Sequence, residues 1–417
     1  MAREQGARTQ LAAAFETIYG QAPVSGFTRL PFASITLGSE QPLLANELLG
    51  YGRDPLPPIK DAVTTEGDIV VPIDAIAWGI WLKAAFGNPT TTGASKAEGT
   101  IVFAENPSNG DTITLGGSTW TFVSSSPSGN ETEIQGSLED TLDELVADLN
   151  ASLDPNVSKC TYSAEDGTTL IIVYATEGAE GNAFTIAASA ATASGGALSG
   201  GTSEHVFESG EWQLPSLSIE KQMPSIPRYE MFTGCMVNSL SWQMQRAGLL
   251  TATVNIVAQG ETPDDTSQAG SVGDIVLKRF GHFNGAIKRN GVSLGNVVSV
   301  EITYSNNLDR IETIRNDGRI DGADPAMAAL TGNMVVRFAD DALFDQAING
   351  EACELEFAYQ LGNAEFSLVA HAVYLPRPRV EITGPGGIQV TFEWQAARDP
   401  VAGKMCTAKL INEVESY

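Results

Sequence analysis

The chain has 417 residues, 42% of them hydrophobic, and a formal charge of −27. Its length predicts two to four domains, and its apolar content with 42 Gly and 20 Pro excludes a disordered polymer and favours many short strands. Such an acidic surface lacks the clustered Lys and Arg that nucleic-acid wrapping requires, and its plainest consequence is solubility.

In chain order, residues 1–30 form an N-terminal arm. "MAREQGARTQLAAAFETIYG" has only the short apolar run Leu11 to Phe15, so no secretory signal is expected. Residues 31–94 open a first body. An irregular stretch from Pro42 to Glu66 precedes an alternating strand through Ile69, Val71 and Ile73. Asp74 then offers a carboxylate to cap a helix that stops at Gly87. The most apolar segment, Ile76 to Phe86, contains Lys83 and is too short to cross a bilayer, so no membrane partner is expected.

Residues 95–205 read as an insertion. They hold 2 Lys, no Arg and 16 Asp or Glu, which is −14 of the total charge. "DTITLGGSTWTFVSS" predicts a hairpin turning at Gly116-Gly117. "SLEDTLDELVADLN" predicts a helix capped by Ser137, with Asp140 in the capping-box position and Leu138, Leu142, Leu145 and Leu149 on one face. With "TTLIIVYATEG" and "NAFTIAAS" this gives a small β-β-α-β-β module, and the Ala/Gly/Ser run from Ala187 to Gly201 is expected as a loose edge or tether. Residues 206–260 complete the first body, 261–274 have linker composition, and 275–417 form a second body.

The second body repeats the first. "TTEGDIVVPIDAIAWGIWLKAAFG" at Thr64 is answered at an offset of 265 by "ALTGNMVVRFADDALFDQAING" at Ala329, and Ile35, Glu47, Leu49, Gly67 and Val71 fall on Val300, Glu312, Ile314, Gly332 and Val336. Met334, Val336 and Phe338 alternate, Asp340 is the expected cap, and the helix stops at Gly350. "GLLTATVNIVAQG" from Gly248 and "GPGGIQVTFEWQA" from Gly384 align at an offset of 136, which puts Ala252, Val254, Ile256 and Ala258 on Ile388, Val390, Phe392 and Trp394. The drop in offset requires the insertion in the first copy only. A second irregular stretch, Asn307 to Thr331, matches the first.

Chemical motifs are few. Cys160, Cys235, Cys353 and Cys406 are scattered without a CxxC pair and are expected as reduced, buried thiols. His205, His282 and His371 are isolated, and there is no HExxH, P-loop or GxSxG. "NDGRIDGAD" spaces Asp317, Asp321 and Asp324 around glycines, but Ala328 stands where a calcium loop needs a bidentate Glu, so a solvated turn is the better reading. The pairs Asp264-Asp265 and Asp340-Asp341 show no sign of acid-base work. No enzyme, cofactor or metal is expected.

The segments "GARTQLAAAFETIYGQAP", "LLGYGRDP", "EGDIVVPIDAIAWGIWLKAAFG" and "FTGCMVNSLSWQMQRAGLLTATVNIVAQGE" make the chain resemble the tail tube (major tail) proteins of long-tailed bacteriophages, over nearly its whole length. "GDTITLGGSTWTFVSS" and "EGNAFTIAAS" are similar to add-on modules of phage virion proteins. The resemblance implies a mainly β fold with a few helices: two tandem β-sandwich or β-barrel domains, each with one flanking helix, and a small α+β inserted domain. It implies a virion protein made in the bacterial host cytoplasm, whose rings stack into a DNA-conducting tube. With two repeats per chain, three chains would close a pseudo-hexameric ring. Expected partners are further copies of the chain, a tail-tip initiator, a tail terminator and a tape measure protein, with phage DNA passing the lumen without specific binding. Candidate inter-ring contacts are Arg53, Asp54, Lys60, Arg315, Arg319, Asp321, Glu16 and Tyr19. The alternative from another class is an adhesin-like surface-binding β-sandwich protein.

Overall fold

The structure is a computed structural model describing residues 3–337, 342–382, 384 and 386–417. It is mainly β, and its described helices are Trp78–Phe86, Leu138–Ala151 and Ala342–Asn349. The expected cap Asp340, with Phe338 and Asp341, lies outside the described residues. Contacts divide the chain into two compact units: Met1–Pro89 with Val206–Leu361 and Phe366–Lys409, and Thr90–His205 with Gly362–Glu365 and Leu410–Tyr417.

In the first unit, strand pairing runs in the same order twice. Ser34–Ile35 pairs with Thr64–Pro72, that strand with Thr251–Ala258, and that one with the C-terminal part of the long strand Arg228–Gln245. Farther along, Val297–Ser305 pairs with Ala329–Arg337, that strand with Gln389–Ala397, and that one with the end of Ala364–Tyr374. Ile35 faces Ile69 as Val300 faces Met334, in agreement with the offset of 265. The later strands correct the second alignment. Val71 faces Ala252 while Val336 faces Val390, so the offset is 138 and not 136. A slip of two positions returns every side chain to the same face, so the alternation that revealed the match could not set its register.

Two glycines show why this pairing needs its sequence. A Cβ on Gly67, where φ is +153°, would stand 2.6 Å from the backbone of Leu37. On Gly332, the equivalent position in the second set of strands, it would stand 2.0 Å from the carbonyl oxygen of Glu301 and 2.5 Å from the Trp394 ring. Both strands therefore let a neighbour approach where a side chain would part them.

The first helix caps this body. Asp74 is fully buried and its Oδ1 accepts from the N–H groups of Ile76 and Ala77 at 2.8 Å each. Burial still raises its carboxyl pKa, because those two bonds do not replace the lost water. Gly87, at φ +96°, ends the helix and donates to the Lys83 carbonyl oxygen. Trp78 meets Trp242 at 6.1 Å and Phe366 at 5.7 Å, both edge-on. That geometry complements the ring quadrupoles while burying much apolar area.

Two segments are more tightly built than composition suggested. Within the arm, Gln10–Phe15 is a strand antiparallel to Leu217–Met223, with Leu11 and Ala12 fully buried. Within the linker, Gly260–Asp264 pairs with the long strand, and the buried carboxylate of Glu220 accepts from the N–H groups of Gln268 and Ala269.

The second unit has its own core, made from Trp120, Phe122, Leu142, Leu145, Leu149 and their neighbours. Thr112–Leu115 and Ser118–Val123 form the hairpin around Gly116-Gly117, both at positive φ. Ser137 caps its helix by accepting from the Asp140 N–H at 3.2 Å. The tether expectation for Ala187 to Gly201 is corrected. Thr192–Ala193 pairs with Glu98–Val102, Ser199 and Glu98 exchange backbone bonds, and Leu198 is buried. Small residues suit this close approach, since a Cβ on Gly99 would meet the Leu198 side chain at 2.7 Å.

Candidate functional site

The most informative feature of the first unit is where its two like sheets meet. Ser239 through Gln245 of the long strand pair antiparallel with Ser305 through Ser299, so both sheets continue as one hydrogen-bonded surface. Asn306 locks this junction from a buried position, donating to the carbonyl oxygens of Ala85 and Val237 at 3.0 and 2.9 Å. Phe86 stacks on Tyr304 at 4.1 Å, so the first helix also covers the second half's leading strand.

Both long irregular stretches contain a hairpin, which sequence reasoning missed. Leu43–Asn46 pairs with Leu56–Lys60, and Asp309–Ile311 pairs with Gly322–Asp324. Leu44 faces Ile59 as Asp309 faces Asp324, again at the offset of 265. Their surroundings differ. Ala323 of the second hairpin is buried with Met236 and Val257, and Leu308 and Ile320 pack there beside Tyr19 and Leu214. On the first hairpin Leu43, Leu44 and Ile59 are exposed. At the tips, Leu49 and Ile314 are equivalent under the same offset and almost wholly exposed.

The sheet has one apolar and one polar face. Ile69, Val254, Leu240, Ile302, Met334 and Phe392 are buried on one side. The alternating positions on the other carry Asp68, Asn255, Ser241, Glu301, Asn333 and Glu393. Asn255 donates to Asp68 at 2.6 Å, and Asn333 donates to Glu301. Along Thr64–Pro72, residues 239–245, Thr251–Ala258, Val297–Ser305, Ala329–Arg337 and Gln389–Ala397, the one cation is Arg337.

The predicted contact residues fall into three groups. Arg53, Asp54 and Lys60 lie exposed on the first hairpin. Arg315 and Asp321 pair at 2.9 Å, Arg315 also holds Asp317, and Arg319 donates to the Glu261 carbonyl oxygen. Arg315 thus lowers the Asp317 pKa and closes the acidic loop that faintly resembled a calcium site. Glu16 and Tyr19 are committed internally. Glu16 accepts from Ser216, Ser218 and the N–H groups of Gly20 and Gly234, while burial raises the Tyr19 pKa. Neither Glu16 nor Glu220 carried a motif, because their partners are distant backbone and hydroxyl groups.

Among the described residues no group of three or more His, Cys, Asp or Glu is placed to hold a metal ion. All four cysteines are buried, and burial pushes the Cys160 thiol up to about 11 and Cys406 up to about 12. No described helix is long and apolar enough to cross a membrane. No curated protein matches the chain significantly. A family model described as phage tail tube protein matches residues 6–396.

Proposed function

The chain belongs to the phage tail tube protein family, and on that footing we propose that three copies close a ring whose rings stack into the conduit for phage DNA. The observation carrying this reading is the edge-to-edge continuation of two like sheets within one chain. An internal duplication accounts for it: each half is one ring position, and each chain fills two. A head-to-tail contact closes a ring only when its rotation returns to the start, and joining sheet edges removes the unpaired backbone that would otherwise recruit wrong partners.

The polar face supplies the channel wall in this reading. Asp68, Glu301 and Glu393 repel phosphate, while Glu66 is neutralised by Arg310, and the scarcity of cations along these strands leaves few counterion-releasing stations to slow passage. The exposed tips around Leu49 and Ile314, with Arg53 and Asp54, serve as stacking contacts repeated around the ring. Residues 95–205 decorate the exterior, since a unit with its own core would obstruct a channel. Initiator, terminator and tape measure proteins are the remaining partners. The role is structural, not catalytic.

Negative-stain microscopy of concentrated purified protein tests this reading. Rings or striated tubes are expected, and compact isolated particles at every concentration would contradict it.

A further inference from the structure

The internal junction is a template for a contact between copies, and the free ends of the chain's sheet match its two sides. The long strand makes the junction with residues 239–245. Under the offset of 138, established by Met236 facing Val257 as Tyr374 faces Gln395, their counterparts follow Tyr374. Residues 375–382 there are not in a strand, and Val380 and Ile382 are exposed where Trp242 and Met244 are buried. The alternation is nonetheless right. Val380 and Ile382 replace Trp242 and Met244 in the same parity, and Pro376 falls on Asn238, the residue skipped in the long strand's register, where a missing N–H is tolerated.

The other side of the template is the leading edge of the first half. The offset of 265 carries Val300, Ile302 and Tyr304 onto Ile35, Leu37 and Ser39, of which Leu37 is buried as Ile302 is. Ser39 N–H, on that edge, is held by the Glu261 carboxylate at 2.9 Å, a side chain standing in for a strand. Beside it lies the first hairpin with its exposed aliphatic residues, whose twin is seated against Met236 and Val257. The counterparts of that seat, Tyr374 and Gln395, are exposed.

Resting on the ring reading above, we infer that residues 375–382 of one copy become a strand by pairing antiparallel with residues 34–40 of a second copy, in the register of the internal junction. Val380 then faces Leu37 and Glu381 faces Thr36, as Trp242 faces Ile302 and Gln243 faces Glu301. The second copy's hairpin, through Leu43, seats on Tyr374 and Gln395. Pro378 forfeits one ladder donor, which makes this contact weaker than the internal one and suits a joint formed on assembly.

Disulfide trapping tests the register. Full-length protein carrying Thr36→Cys and Glu381→Cys is assembled, oxidised and run on a non-reducing denaturing gel. Cross-strand Cα atoms in such a pair lie about 4.5–5.5 Å apart, within disulfide reach. Covalent dimers and trimers are expected. A control pairing Glu40→Cys with Glu381→Cys, four positions off and so about 13 Å out of place, should stay monomeric. Tubes that cross-link through the control and not the designed pair would overturn the register while leaving the ring reading intact. Failure of both variants and of the unmodified chain to assemble would overturn the ring reading itself.

Discussion

Two hairpins with the same strand register occupy opposite surroundings in this molecule. That of the second half rests on Met236 and Val257 of the first half, while that of the first half displays Leu43, Leu44 and Ile59 to solvent. The difference lies in which neighbour the chain provides. Covalent linkage supplies a preceding half only to the second hairpin, so an exposed aliphatic group on the first is the counterpart of a core residue and not a surface defect. A cluster of exposed aliphatic side chains is informative for this reason.

The largest effect should come from placing one charge in each hairpin. Leu308→Asp sets a carboxylate in the partly buried contact with the Met236 and Val257 cluster and should lower the stability of the isolated chain by about 2 kcal/mol, measured by denaturant titration. Leu43→Asp, its equivalent in the first copy, should leave that titration within about 0.5 kcal/mol of the parent and abolish assembly in sedimentation assays. Equal destabilisation by both would break the comparison.

A smaller effect contrasts the first compact unit with the second. His205 is buried, with Thr91 Oγ1 2.9 Å from Nδ1 and the Val414 carbonyl oxygen 3.0 Å from Nε2. Burial lowers its pKa below the usual histidine value by disfavouring the imidazolium. The unfolded chain therefore binds the proton first, so this contribution is present above about pH 6.5 and is lost as pH falls below it. Amide exchange in residues 410–417 should speed up between pH 7.5 and 5.5 after correction for intrinsic rates. The hairpin seat, which contains no histidine, should not change. Unaltered protection of the tail in acid would contradict the assignment.

The parts legible in the sequence were those where a side-chain pattern and a backbone requirement coincided. Gly67 and Gly332 anchor the 265 offset because each sits where a neighbouring segment of the same chain approaches too closely for a Cβ. The later strands offered only alternation, whose period of two hid the difference between 136 and 138. The first hairpin escaped notice because Pro55, Pro57 and Pro58 argue against strand, and Gln10–Phe15 because three alanines have low strand propensity. The internal roles of Glu16, Glu220 and Asn306 could not be read from the sequence, since each satisfies groups brought close only by folding.

The central claim is that each chain fills two places in the ring. Cryo-electron microscopy of the assembled tube, with the chain traced through one ring, measures this directly. Three chains of 44.0 kDa, placing six like sheets around the channel, are predicted. Six complete chains in one circumference, or halves that do not alternate around it, would contradict the account.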